Sequence, residues 1–356
     1  MANLRRRGRD GSLVDQTVRS ATTGIRPATR PLVLLLATFL LAGLCVASLA
    51  IGSKTIPFGE VFSVLIDPRG GETEAIVRGL RLPRTLLGLF AGVALGLSGA
   101  LIQGVTRNPL ADPGILGVSA GAGFAVSLAV LAFGLSSFYS YVWFAFAGAA
   151  IASVVVYALG GFGRGGATPV KLALAGVAML ALLTSLTSGV LLLDPNALYV
   201  YRSWAVGSLT GQDTAIVAQM VPFLLTGTAL ALSVAPALNS LALGDDVASA
   251  LGRRIGLIRL GGVVAVTLLA GTVSAVVGPI VFIGLVIPHV ARAITGPDYR
   301  WILPYTMVLA PCLVLAADIL GRVVARPGEI GVGVITAFLG APFFIALIRR
   351  RRLAEL

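Results

Sequence analysis

Apolar residues in this chain come in long unbroken runs, not in the alternation of a half-buried strand or the single stripe of a surface helix. The runs lie near 32–52, 83–105, 114–133, 141–160, 170–193, 214–237, 257–277, 279–295, 301–321 and 331–348, each bounded by charge, Gly or Pro. A helix of about 20 apolar residues crosses a hydrocarbon core of roughly 30 Å, and it satisfies every backbone amide within its own segment. The pattern therefore predicts an all-α, polytopic membrane protein with about ten transmembrane helices, its membrane domain spanning 32–349. Residues 1–31 are polar and Arg-rich without apolar periodicity, and read as a disordered cytoplasmic N-terminal tail; 350–356 read as a short C-terminal tail. The outer stretch Ser53 to Leu80 is too short to be a domain.

An even number of spans puts both tails on one side. Those tails carry Arg5, Arg6, Arg7, Arg9, Arg19, Arg26, Arg30 and Arg349 to Arg352, so the positive-inside rule makes that side cytoplasmic and the location the cytoplasmic (inner) membrane. Composition agrees with immersion in lipid: 57% hydrophobic, 12% charged and mean hydropathy +0.95. The net charge of +12 does not mark a nucleic-acid binder, because the basic residues sit at helix ends and tails and are not interleaved with aromatics on one face. Cys45 and Cys312 lie inside apolar runs and read as packing residues. The basic start followed by an apolar run imitates a signal peptide, but the run continues past Cys45 to Gly52 and is read as the first span.

No catalytic set is present. Gly52-Ser53-Lys54-Thr55 lacks the Gly before Lys and the preceding strand of a phosphate loop, so ATP is not bound there. His289 is the single histidine and reads as structural at a helix end. Carboxylates are nearly absent from the spans, Asp318 being the main exception, whereas ion-coupled carriers place ionisable groups at mid-membrane. Energy then has to reach this protein from outside the bilayer. Gly88, Gly92 and Gly96 share one face of their helix and admit a close neighbour, either as plain packing or as a moving interface.

The longest loop on the tail side, 236–258, contains Leu241, Leu243, Val247 and Leu251 with Asp245 and Asp246. This is a short amphipathic helix, acidic at its start and followed by Arg253-Arg254, which serves either as a solvated connector or as a docking helix for a cytoplasmic partner. Asp246-Val247-Ala248 followed by Gly252 resembles the coupling loop of ABC importer permeases. Further stretches resemble the FecCD-type permeases for iron siderophores, haem and cobalamin. They are Arg81-Leu82-Pro83-Arg84, Ser98-Gly99, Gln103, Arg107-Asn108-Pro109-Leu110-Ala111-Asp112-Pro113, Leu116-Gly117, Leu174-Ala175-Gly176, Leu241-Ala242-Leu243-Gly244, Phe282-Ile283-Gly284-Leu285-Val286-Ile287-Pro288-His289 and Ala317-Asp318.

The resemblance implies a ten-helix, non-catalytic translocation subunit of an importer without a cofactor of its own. It would pair with a second permease subunit, sit above an ABC ATPase dimer and receive a ferric siderophore from an extracytoplasmic solute-binding protein. Haem and cobalamin remain open as cargo, and a stand-alone carrier or channel is the rival outside the family. By the same resemblance Leu243, Gly244, Asp245, Asp246, Ala248 and Gly252 contact the ATPase, and Arg81, Arg84 and Arg322 meet acidic residues of the binding protein. Asn108 and Leu110 fall at the cytoplasmic gate, and the other gate element falls at Thr168, Pro169 and Val170, where this sequence departs from the polar pattern of the cobalamin member. Arg78 and Arg326 read instead as helix-end arginines that snorkel to lipid headgroups.

Overall fold

A computed structural model describes residues 27–352 apart from Ser53, Arg69, Ser136 and 163–167. The tails expected at 1–31 and 350–356 lie for the most part outside the described residues. In chain order the helices are α1 (Arg30–Ala50), α2 (Phe58–Ile66), α3 (Leu82–Thr106), α4 (Val118–Phe133), α5 (Phe138–Gly161), α6 (Pro169–Leu193), α7 (Pro195–Ala205), α8 (Thr214–Ala242), α9 (Asp245–Ala250), α10 (Ile255–Val276), α11 (Ile283–Thr295), α12 (Tyr299–Val324) and α13 (Val332–Arg352). Seven are long and apolar enough to cross a membrane; α4, α11 and the apolar part of α13 are shorter. A π-helical turn over Ala75–Arg81 leads directly into α3.

Local chemistry sets the ends. Asp194, Asp213 and Asp298 cap α7, α8 and α12 by accepting the amides of Asn196, Ile216 and Arg300 at 2.9–3.0 Å, each satisfying a donor that has no intrahelical partner. Proline inside α8, α12 and α13 does not end these helices, a tolerance ordinary for spans packed among other helices. For that reason α8 runs through Pro236 to Ala242, five residues beyond the predicted end at 237.

At the centre stands α3, which packs against α8, α10, α11 and α12. The Gly88, Gly92 and Gly96 face meets α12: a Cβ built on Gly92 would lie 2.4 Å from the Pro311 Cα. At the other extreme, only 6% of the most apolar window of α1 is buried, against 78% for the run that includes α3, so α1 is peripheral.

The sequence reading starts the eighth span at 279, but the helix begins at Ile283. Gly278 at φ 85° and Phe282 at φ 70° break it, and Pro279 lies between them. With 13 residues α11 is ~20 Å long, so 277–282 must carry the chain through part of the hydrocarbon depth as irregular backbone. Such backbone persists only when buried in protein or lining a cavity. Here the Ser208 amide donates to Val277 O at 2.9 Å and Gly333 N to Gly207 O at 3.1 Å, so the stretches around 207, 277 and 333 interlock. His289 sits within α11 rather than at its end, edge-on to Phe343 of α13.

Candidate functional site

Arg81, Arg84 and Arg322 come together at one end of the bundle, where α1 and α12 finish and α3 starts, and all three are buried. Arg84 grips Asp318 with Nε and Nη2 at 3.0 and 2.8 Å, and its Nη1 reaches Glu329 at 2.6 Å. Arg322 shares Asp318 at 2.9 Å and donates to the Ser48 and Ile51 carbonyls at 2.9 and 2.8 Å. Arg81 donates to the carbonyls of Leu49, Ala50 and Lys54. A charge inside a membrane protein is stable only when paired in this way.

The arginines that the resemblance assigns to the binding protein are thus already bonded within the chain. They form the floor of a cavity of about 320 Å³, also lined by Lys54, Asp213 and Glu329. At its edge the Tyr139 hydroxyl donates to Asp213 at 2.5 Å, which with the Ile216 amide holds that carboxyl below the usual carboxylate range. Arg78 and Arg326, read from the sequence as lipid anchors, also bond the chain's own backbone. Arg78 donates to the last carbonyls of α2, Val64 and Leu65, at 3.0 and 2.7 Å, and Arg326 donates to Gly52 O at 2.7 Å.

The opposite end carries the other predicted residues. The loop 236–258 comprises the end of α8, a turn at Gly244 with φ 111°, α9, a second turn over 251–254 and the start of α10. Leu241 is buried in α8, so the outward apolar face consists of Leu243, Val247 and Leu251, which are exposed by 66%, 44% and 60%. Ala248 faces inward, fully buried, while Asp246 and Gly252 are exposed. Asp245 bonds Arg259 at 2.9 and 3.1 Å and lies 3.5 Å from the Arg107 guanidinium. Arg107 ends α3 in the left-handed region, φ 49° and ψ 31°, a conformation that costs a residue with a Cβ ~1–2 kcal/mol.

Asn108 closes the next turn by accepting the Leu110 amide on Oδ1 at 3.0 Å. Thr168 caps α6, Pro169 is its first residue and Val170 is exposed; no direct contact joins them to Asn108 or Leu110 among the described interactions. Sequence reasoning missed Arg107 and Arg259 as partners of Asp245. An arginine such as Arg259 inside an apolar run needs a buried acceptor, and that was the available signal.

A third feature lies beside the irregular stretch 277–282. Tyr201, Arg202, Val206, Pro279, Val281 and Phe338 line a recess of about 540 Å³, apolar apart from Arg202 and the phenol. The described residues hold no cluster of three His, Cys, Asp or Glu that would bind a metal ion.

Residues 35–350 match the FecCD transport family from α1 to α13. The chain belongs to that family. Among FecCD relatives, the ferric enterobactin transport system permease protein FepD of Escherichia coli is 49% identical over 305 residues, covering 85% of this chain and 91% of FepD. The Fe(3+)-citrate import system permease protein YfmD of Bacillus subtilis is 40% identical over 307 residues, covering 86% and 90%. The solved structure of an inward-facing metal-chelate type ABC transporter is 29% identical, with TM-score 0.78 over 90% of this chain and 99% of that one. PsaBC of Streptococcus pneumoniae, at 14% identity and TM-score 0.55, shares the fold alone.

Proposed function

We propose that this FecCD chain is the permease subunit of an ABC importer that moves a ferric siderophore across the cytoplasmic membrane. The observation that carries this reading is the 49% identity to a ferric enterobactin permease, sustained over 91% of that protein. The chain makes no covalent change to its cargo. A partner ATPase dimer supplies the energy, a second permease subunit completes the path, and a solute-binding protein delivers the chelate.

In this reading both termini are cytoplasmic, so the Arg84 end faces outward and the Arg107 end faces the ATPases. The Leu243, Val247 and Leu251 face, with Asp246, gives α9 an unpartnered amphipathic surface of the kind a groove on a partner accepts. The outer cavity above Arg81, Arg84 and Arg322 takes an acidic side chain of the binding protein, a charge-assisted contact that steers association and weakens with salt. The 540 Å³ recess forms one wall of the path, and Asn108 with Leu110 forms the inner gate, with Thr168, Pro169 and Val170 as its second element.

Radiolabelled uptake in a strain lacking this chain tests the reading against a panel of ferric siderophores, haem and cobalamin. We expect loss of uptake for at least one ferric siderophore, restored by the chain on a plasmid. Loss confined to haem or cobalamin, or no loss for any chelate, would overturn it.

A further inference from the structure

The two adjacent acids of α9 have different surroundings. Asp246 is exposed, whereas Asp245 turns toward the bundle, hydrogen-bonded to Arg259 and 3.5 Å from the Arg107 guanidinium, whose side chain like its own is 37% exposed. Arg259 approaches it from the first turns of α10 with a side chain only 7% exposed, and Arg107 approaches from the residue that follows α3. Arg107 occupies a left-handed position where glycine or asparagine is the usual helix terminator. Glycine there would carry less backbone strain. The arginine brings something glycine cannot, a guanidinium that spans to Asp245.

From Arg107 onward the chain is one closed turn. The Asn108 amide donates to Gln103 O at 3.1 Å, Ala111 N donates to Asn108 O at 3.0 Å, and the Asn108 side chain takes the Leu110 amide. A displacement applied to Arg107 therefore moves Asn108 and Leu110 with it. We propose that Asp245 and Arg107 are positioning residues that transmit motion of α9 to the Asn108–Leu110 turn, with Arg259 as the fixed anchor on α10. This rests on the reading of α9 as the ATPase contact and of Asn108 and Leu110 as the gate. It divides labour within the Asp245-Asp246 pair: Asp246 belongs to the docking face, and Asp245 belongs to the linkage.

The test uses the assembled importer in nanodiscs with its ATPase dimer. Spin labels at Pro109→Cys and Ala250→Cys, in a Cys45→Ser, Cys312→Ser background, report the separation of the turn from α9. In the unaltered linkage we expect one narrow separation that survives addition of ATP and vanadate. Asp245→Ala should broaden it and let it shift with nucleotide. Arg107→Gly should do the same while leaving thermal stability equal or higher, since it removes the left-handed strain; that separates loss of linkage from loss of fold. The double variant should be no worse than Asp245→Ala alone, because that change already removes the Arg107 contact together with the Arg259 one. Distributions in both single variants that match the unaltered protein would overturn the proposal. Cross-linking of Val247→Cys to the ATPase, run in parallel, isolates the underlying reading. Cross-linking retained in every variant with unchanged separations rejects the linkage alone, and no cross-linking even with the linkage intact rejects the docking of α9 and the linkage with it.

Discussion

Asp318 is 1% exposed and receives two guanidinium groups, and those cations are buried almost as deeply. Removing one member of a buried ion network leaves its partners charged and unpaired, at a cost of roughly 3–5 kcal/mol. Asp318→Ala should therefore lower the melting temperature of the detergent-solubilised protein sharply, as followed by temperature-dependent loss of the monodisperse gel-filtration peak. Overpacking the α3–α12 contact acts by a different route. Gly92→Val puts a branched side chain where the Pro311 backbone lies and should cost about 1–3 kcal/mol in the same assay. The sequence marked Asp318 as the carboxylate out of place in a span, and marked Arg84 and Arg322 separately as outer arginines. It could not show that these are one network, because Arg84 and Asp318 are 234 positions apart and no periodicity connects them. A test of docking by reversing Arg81 would also unlock the Leu49 and Ala50 carbonyls at the end of α1 and the Lys54 carbonyl beyond it, so the cleaner variants are reversals of acidic residues on the binding protein.

Among the elements, α9 carries the proposed ATPase contact. Ala248 donates its amide to Gly244 O at 2.9 Å, a bond proline cannot make, and proline costs a helix interior about 3 kcal/mol. Ala248→Pro should therefore abolish transport-coupled ATP hydrolysis while the spans remain inserted, measured as ATPase stimulation by the loaded binding protein in proteoliposomes. Val247→Asp, which charges the exposed apolar face without breaking the helix, should weaken co-purification of the ATPase. Long apolar helices were legible to within a few residues because lipid demands unbroken runs. The errors fell where proline and glycine have context-dependent meaning. The span predicted to end at 237, just past Pro236, runs on to Ala242, Gly278 and Phe282 shorten the eighth span through positive φ, and α7 was invisible because its 11 residues are too few and too polar for the hydropathy pattern.

For the molecule as a whole, reporter fusions at Arg30 and Arg349 should read the same, cytoplasmic face; opposite readings would remove the even-span topology. Fold and family were legible because motifs recur in order along nearly the full chain, whereas the pairing of distant charges and the cavities they line belong to tertiary structure alone. One consequence concerns the order in which the chain is made. Arg84 enters the membrane early, yet the carboxylates that neutralise it, Asp318 and Glu329, belong to the last quarter of the sequence. The carbonyls at the end of α1 in turn wait for Arg322. During synthesis Arg84 therefore lacks Asp318 until α12 arrives, and a chain stopped after α11 should be a ready substrate for membrane quality-control proteases. The ion network acts as a completion seal, closing the bundle only once nearly the whole polypeptide has been inserted.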